Sequence, residues 1–303
     1  LNDEPMLILA DGQIIIGNET LTPHRENAIL VAASDGSRLI TGGDDGKIIL
    51  LESPKDVVEA GNEKGRWIDA VALGPSQSLA WSTGKKVVAR DGKGQLKEWS
   101  APSTAQGLAF APKGYRLGIA HYNGASFWFP NTEGTPEFRE WKGSHLDITF
   151  SADGRFVVTS MQENTLHGWR LADGKDMRMS GYPSKTRSFS WSHDGHWLAT
   201  SGADAAVIWP FKDKDGPMGK APRECGVRHA KVSSVAFHPR ALVVAIGYED
   251  GCILLCRLTD AAELLVRAAH KDDGKITSMT WDKTGARMIF GSENGAAGVL
   301  TLP

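Results

Sequence analysis

The feature that most constrains this chain is a repeat. A short apolar strand, a turn rich in Pro, Asp and Gly, and a second apolar strand recur along the 303 residues as LVAASDGSRLITGG from Leu30, LAFAPKGYRLGIA from Leu108 and ITFSADGRFVVTS from Ile148. The series continues as FSWSHDGHWLATSG from Phe189, VAFHPRALVVAIG from Val235 and MTWDKTGARMIFGS from Met279, with a weaker copy, VALGPSQSLAWSTG, from Val71. Asp-Gly and Lys-Gly tolerate positive φ and close tight turns, while the β-branched and aromatic residues beside them suit a pleated surface buried on both sides. Each copy is therefore a hairpin. A third strand follows it, as in DDGKIILLE, EDGCILLCRL and ENTLHGWRL, and then a more variable fourth, as in GKDMRMS or AAELLVRAA. Helical spacing is nearly absent; DAAELLVRAAH at 260–270 falls where the repeat requires an outer strand and is read as one.

The seven starts are spaced by 41, 37, 40, 41, 46 and 44 residues, which matches the roughly 40 to 45 residues of a four-stranded propeller blade. One such sheet cannot hide its own faces, so neighbouring copies must cover one another, and closing the stack into a ring protects the terminal faces. The predicted fold is all-β: a seven-bladed β-propeller of four-stranded antiparallel sheets, with residues 1–303 as one domain. Composition agrees, at 41% hydrophobic and 23% charged. Seven repeats and their connections supply one strand too few, and the β-rich segment MLILADGQIIIG is the natural donor. Residues 12–18 are expected to complete the last blade and close the ring.

These residues resemble the WD-repeat (WD40) β-propeller family over nearly the whole chain. The family places His before the first strand, Ser or Thr in the second, Asp in the next turn and Trp in the third strand. The first repeat resembles this at His24, Thr41 and Asp45, with Leu51 in the Trp place; the sixth keeps His229 and Asp250 but has Ile246 and Cys256; repeats three, four and five carry Trp128, Trp169 and Trp209. No repeat has the full set, and uneven blade stability is expected, because an unmade buried partner costs about 1 to 3 kcal/mol.

The search for chemistry is mostly negative. There is no Gly-rich phosphate loop, His-Glu-x-x-His, Gly-x-Ser-x-Gly or Cys-x-x-Cys. Cys252 and Cys256 would lie about 13 Å apart along a strand, too far to share a metal, and read as small buried hydrophobes. His193 and His196 flank a turn, His121 and His145 adjoin strands, and no metal or cofactor is expected from them. Asp45, Glu163, Asp204 and Asp250 recur before the third strand, which argues for turn chemistry rather than catalysis. The run at 211–225 reads as a solvated loop, with partner binding as the alternative.

A formal charge of −2 gives no basic field for nucleic acid, and no run of eighteen apolar residues suggests a membrane span. Three cysteines are too few for a disulfide framework, and the N-terminus lacks the pattern of a signal peptide, so a cytoplasmic protein is expected. Short connections suggest a monomer. In the WD-repeat family, residues entering the first strand and those in the turn after the second display on one face. The matching positions here are Trp67, Asp69, Gln106, Tyr122, Arg187, Lys231, Tyr248, Glu249 and Glu293. Trp, Tyr and Arg offer large contact area with a polar handle. The resemblance thus implies a non-catalytic scaffold binding a protein or peptide through that face; the alternative is a propeller enzyme of hydrolase or lactonase type with its site in the central channel.

Overall fold

The computed structural model describes residues 1, 4–270 and 272–302, with no helix among them. The fold class is the expected all-β propeller, with seven blade repeats in chain order. The chain divides into two compact units, Leu1–Phe150 and Ser151–Pro303.

In the first unit, blade 1 comprises Ile29–Ser34, Leu39–Gly43, Lys47–Ser53 and Asp56–Asn62, paired antiparallel in that order. Blade 2 repeats the plan with Ala70–Leu73, Leu79–Thr83, Lys86–Arg90 and Leu96–Ser100. Blade 3 uses Gly107–Phe110, then the long strand Leu117–Trp128, then Glu137–Phe150. Leu117–Trp128 serves as two strands, since its start pairs with Gly107–Phe110 and its end with the start of Glu137–Phe150, with a register shift between Tyr122 and Gly124. The last residues of Glu137–Phe150 open the fourth copy.

The second unit continues that copy with Phe156–Met161, Leu166–Arg170 and Asp176–Met179. Blade 5 is Phe189–Trp191, Trp197–Thr200, Ala206–Pro210 and Arg223–Cys225; blade 6 is Val232–Phe237, Val243–Tyr248, Ile253–Arg257 and Ala262–Arg267. Blade 7 has three strands, Ile276–Trp281, Arg287–Ser292 and Ala297–Thr301. Ala262–Arg267 is the outer strand expected from DAAELLVRAAH; pairing against Ile253–Arg257 overrides its local helical spacing.

The cores lie between blades. Ile40, Ile48 and Leu50 of blade 1 pack with Ile68, Val71, Leu79, Trp81 and Val88 of blade 2, and Val235, Val244, Ile246, Leu254 and Cys256 of blade 6 pack with Ala199, Ile208 and Cys225 of blade 5. Each large apolar side chain so buried contributes about 1.5 to 3 kcal/mol. The approach is close enough to require glycine. A Cβ on Gly42 would stand 2.4 Å from Ile68 Cγ2, and one on Gly247 2.7 Å from Ile276 Cγ2. The same small-against-isoleucine joint thus recurs in each unit.

The N-terminal segment departs from expectation. Ile14–Ile16 does not act as a lone outer strand of the last blade; it is the middle of a three-stranded sheet, paired on one edge with Met6–Ile8 and on the other with Glu19–Leu21. Both of its hydrogen-bonding edges are used within residues 6–21. The physical cause is the apolar face of this sheet, where Ile14, Ile16, Met6, Ile8 and Leu21 cover Ile29, Leu39, Ile49 and Leu51 of blade 1.

The run at 211–225 is largely the solvated loop expected, with residues 212–215 and 218–221 exposed, but it is anchored at several points. Phe211 is buried edge-on to Phe156 and Trp191, at ring separations of 5.3 and 4.8 Å. Arg155 donates to the carbonyls of Phe211, Lys212 and Asp213, and Arg170 to that of Lys214. Two guanidinium forks thus saturate backbone acceptors that water would otherwise take.

Among the described residues, blade 1 carries a complete His-Thr-Asp set. His24 Nε2 meets Thr41 Oγ1 at 2.8 Å and Nδ1 meets Asp45 Oδ1 at 3.1 Å. Elsewhere other groups make the connection. In blade 5, Trp209 Nε1 donates to the Tyr182 hydroxyl at 2.6 Å, and Thr200 gives its only proton to the Val207 carbonyl, so Tyr182 must donate to Thr200 Oγ1, 2.6 Å away. Burial raises the Tyr182 pKa well above the ordinary phenol value and keeps that proton in place. In blade 2, Trp81 Nε1 and Lys86 Nζ both donate to Glu63. His229, by contrast, is exposed and takes no part in such a network, and the buried Tyr248 hydroxyl donates to the Gly226 carbonyl instead.

Two stability predictions follow. Tyr182→Phe strands the Trp209 N–H and is expected to cost about 1 to 3 kcal/mol in chemical denaturation. Ile14→Ala is expected to cost about 2 to 5 kcal/mol; an unchanged denaturation midpoint would show that the N-terminal sheet does not stabilise blade 1.

Candidate functional site

Several candidate positions at blade entries and turns are fixed by short hydrogen bonds. In the first unit, Gln106 N–H donates to the Ala120 carbonyl and Tyr122 N–H to Ser103 Oγ, which sets the entry of blade 3 beside its second turn. Asp69 N–H donates to the Ser82 carbonyl, and Asp69 Oδ2 accepts the Gly84 N–H at 2.6 Å. Its carboxylate is thus partly committed to the turn. Trp67 and Tyr122 stand clear, at 68% and 54% exposure, and Gln106 is exposed.

In the second unit, Glu249 N–H donates to the Lys231 carbonyl, Glu293 N–H to the Lys275 carbonyl and Arg187 N–H to Ser201 Oγ. Arg187, Glu249 and Glu293 are exposed and Lys231 is half-buried. Tyr248 is a correction to the expected surface: it is fully enclosed in the core of blades 5 and 6, with the Arg228 guanidinium 5.3 Å from its ring centre. It is the last residue of Val243–Tyr248, and its ring turns inward where Glu249, the next residue, turns outward.

The residues read as structural have structural partners. Asp45 Oδ1 accepts the Lys47 N–H and Asp250 Oδ1 the Cys252 N–H, each two residues on, which is the turn chemistry expected. His121 Nε2 meets Ser126 Oγ and His145 Nε2 meets the Trp141 carbonyl, with both rings buried. His193 is exposed, and His196 pairs with Asp194. Cys252 and Cys256 are buried, and Cys256 touches Cys225; that contact and burial push the Cys256 thiol pKa far up. Among the described residues, no helix is long and apolar enough to cross a membrane.

One group escaped the motif search. Asp147 precedes the fourth repeat start, where the other repeats have Ile29, Ala70, Gly107, Ser188, Ser234 and Ser278. Its inner strand runs so close to Gly107 that a Cβ there would lie 2.6 Å from the Asp147 Cα. Solvent reaches the side chain, yet the protein around it raises its pKa to about 6, against the opposing effect of the Ile148 N–H, which donates to Oδ1. Aligning the seven copies column by column would have revealed this carboxylate; scanning for known motifs could not.

The comparisons with known proteins agree with the fold. The family described as Anaphase-promoting complex subunit 4 WD40 domain matches residues 235–302, and that described as WD domain, G-beta repeat, matches 177–209. Periodic tryptophan protein 2 of Saccharomyces cerevisiae is 23% identical over 92% of this chain and 30% of its own length. WD repeat-containing protein 1-A of Xenopus laevis is 30% identical over 37% of this chain and 18% of its own, and WD repeat-containing protein 55 of Homo sapiens 25% identical over 63% and 50%. The chain thus spans half or less of the length of these relatives.

A folded pKa raised above the unfolded one means that the ionised form of Asp147 weakens the fold at neutral pH. That penalty is present above about pH 6 and fades as pH falls towards 3.8. Asp147→Asn is therefore expected to raise the melting temperature at pH 7 and to have little effect near pH 4; equal shifts at both would contradict the assignment. Taken with the repeat, the blades and the matched segments, the chain is an all-β propeller similar to WD-repeat (WD40) proteins.

Proposed function

We propose that this chain is a non-catalytic scaffold that binds a protein or peptide through the blade ends carrying Trp67, Asp69, Gln106 and Tyr122 in the first unit and Arg187, Lys231, Glu249 and Glu293 in the second. The observation that carries the reading is the exposure of Trp67 and Tyr122 at blade entries and turns where Ile68 N–H donates to the Gly43 carbonyl and Tyr122 N–H to Ser103 Oγ. A large aromatic surface left in water on a rigid support is costly unless a partner covers it, and Trp, Tyr and Arg dominate interface energetics. The carboxylates and imidazoles that could suggest catalysis are mostly committed to turns and networks. Similarity to WD-repeat relatives supports a scaffold in general and identifies no partner. Buried free thiols fit a reducing compartment, and the cytoplasm is the proposed location.

The rival enzyme reading draws on Asp147, among the described residues the carboxylate with a raised proton affinity, on an inner strand. Affinity capture from native extract, followed by mass spectrometry, separates the two. Trp67→Ala and Arg187→Glu are expected to weaken the captured partner about thirtyfold or more, as loss of a roughly 2 kcal/mol anchor does, with melting temperatures unchanged. Undiminished capture by both variants would sink the scaffold reading, and a hydrolytic activity abolished by Asp147→Asn would favour the enzyme.

A further inference from the structure

Two of the three cysteines meet across a blade joint. Cys225 ends the outer strand Arg223–Cys225 of blade 5, and Cys256 lies in the third strand, Ile253–Arg257, of blade 6. Both thiols are free, and both sit in one core cluster. The backbones that carry them are tied on either side of the contact. Arg223, two residues before Cys225, donates from its guanidinium to the carbonyl of Leu258, two residues after Cys256, at 3.1 Å. Gly226, the residue after Cys225, donates its N–H to Glu263 at 3.0 Å, and Glu263 stands opposite Cys256 in the sheet of blade 6. The Gly226 carbonyl in turn accepts the Tyr248 hydroxyl. Between these ties the two sulfurs touch, with the Cys256 S–H donating to Cys225. Cys252 is excluded from the pair, being about 13 Å from Cys256 along the chain and enclosed beside Tyr248.

We infer that Cys225 and Cys256 form a reversible oxidation site, which a hydroperoxide converts into a disulfide joining blades 5 and 6. Their environments divide the roles. The hydrogen bond from Cys256 holds the Cys225 thiol below its ordinary pKa, with Arg223 acting the same way and burial and Glu263 against it. The same bond, with burial, pushes the Cys256 thiol far up. Cys225 also lies on the blade's outermost strand, 7% exposed against 1% for Cys256. Since the thiolate is the nucleophile, Cys225 attacks the peroxide: an S–O bond forms, the O–O bond breaks, and the departing alkoxide takes up the proton that Cys225 released. The Cys256 sulfur then displaces hydroxide from the Cys225 sulfenic acid, so that the S–S bond forms, the S–O bond breaks, and the hydroxide leaves as water with the Cys256 proton. The two sulfurs lose two electrons and the peroxide gains them, yielding one alcohol and one water. Attack by an external thiol reverses the bond. The disulfide closes a loop that contains Lys231 and Glu249, two of the candidate binding positions.

Hydrogen peroxide added to the whole folded chain, followed by acid quenching, unfolding, alkylation and peptide mass mapping, tests the inference. Free thiols are expected to fall from three per chain to one, with the Cys225 peptide joined to the Cys256 peptide of the same chain, and dithiothreitol is expected to restore all three. Cys252→Ala is expected to lose both of its remaining thiols in the same way, whereas Cys225→Ser keeps both of its own. An unchanged thiol count, a bond that involves Cys252 or a second chain, or Cys225 carried to sulfinic or sulfonic acid without a linked peptide would each overturn it. The map of the unsubstituted chain decides even where a variant fails to fold.

Discussion

Everything in this structure depends on the covering of one sheet by the next. A four-stranded antiparallel sheet rich in Val, Ile, Leu and Trp has two apolar faces, and its hydrogen bonds satisfy only its own backbone. Stability therefore resides between blades, where Ile40 and Leu50 meet Ile68 and Trp81, or Ile208 and Cys225 meet Ile246 and Cys256. The glycine joints at Gly42 and Gly247 show how near the sheets come. With both faces occupied in this way, a blade has only its two ends and its outer edge left to offer to other molecules.

That constraint also explains what could be read from the sequence. The hairpin period is imposed by the need to present a matching apolar face every forty residues or so, and the strands appear where the copies place them, including Ala262–Arg267 despite its helical spacing. The N-terminal segment was harder, because alternation in MLILADGQIIIG marks strands without saying which neighbour they cover. Ile14 and Ile16 chose the face of blade 1, a choice made by shape rather than by pattern. The run at 211–225 was only partly legible: its charges mark the exposed stretches, while the carbonyls that anchor it are held by Arg155 and Arg170, which belong to distant parts of the sequence. Tyr182 was invisible as a stand-in for histidine because its role depends on where Trp209 and Thr200 place their hydrogens.

The candidate surface shows the same division. Trp67 and Tyr248 both followed from family resemblance, yet one is in water and the other is enclosed. Trp67 comes before Ile68, the residue that enters the core, whereas Tyr248 ends a strand and faces inward beside Cys252 and Leu254. A one-residue difference relative to the strand boundary reverses a side chain, since successive residues point to opposite faces. Resemblance locates the turn; burial decides which of its residues is available.

The blade ends also show how such a fold would support the proposed recognition role. In each unit the backbone joints are nearly the same: an N–H of the turn or entry residue bonds the neighbouring segment, as in Glu249 to Lys231 and Glu293 to Lys275. The side chains on those joints differ from blade to blade, running through Trp, Gln and Tyr in one unit and Arg, Lys and Glu in the other. Because most of these side chains, Asp69 aside, sit on backbone bonds that do not depend on them, they can change without unsettling their blades. Selectivity can therefore vary independently of stability, which a catalytic constellation with interdependent residues does not allow.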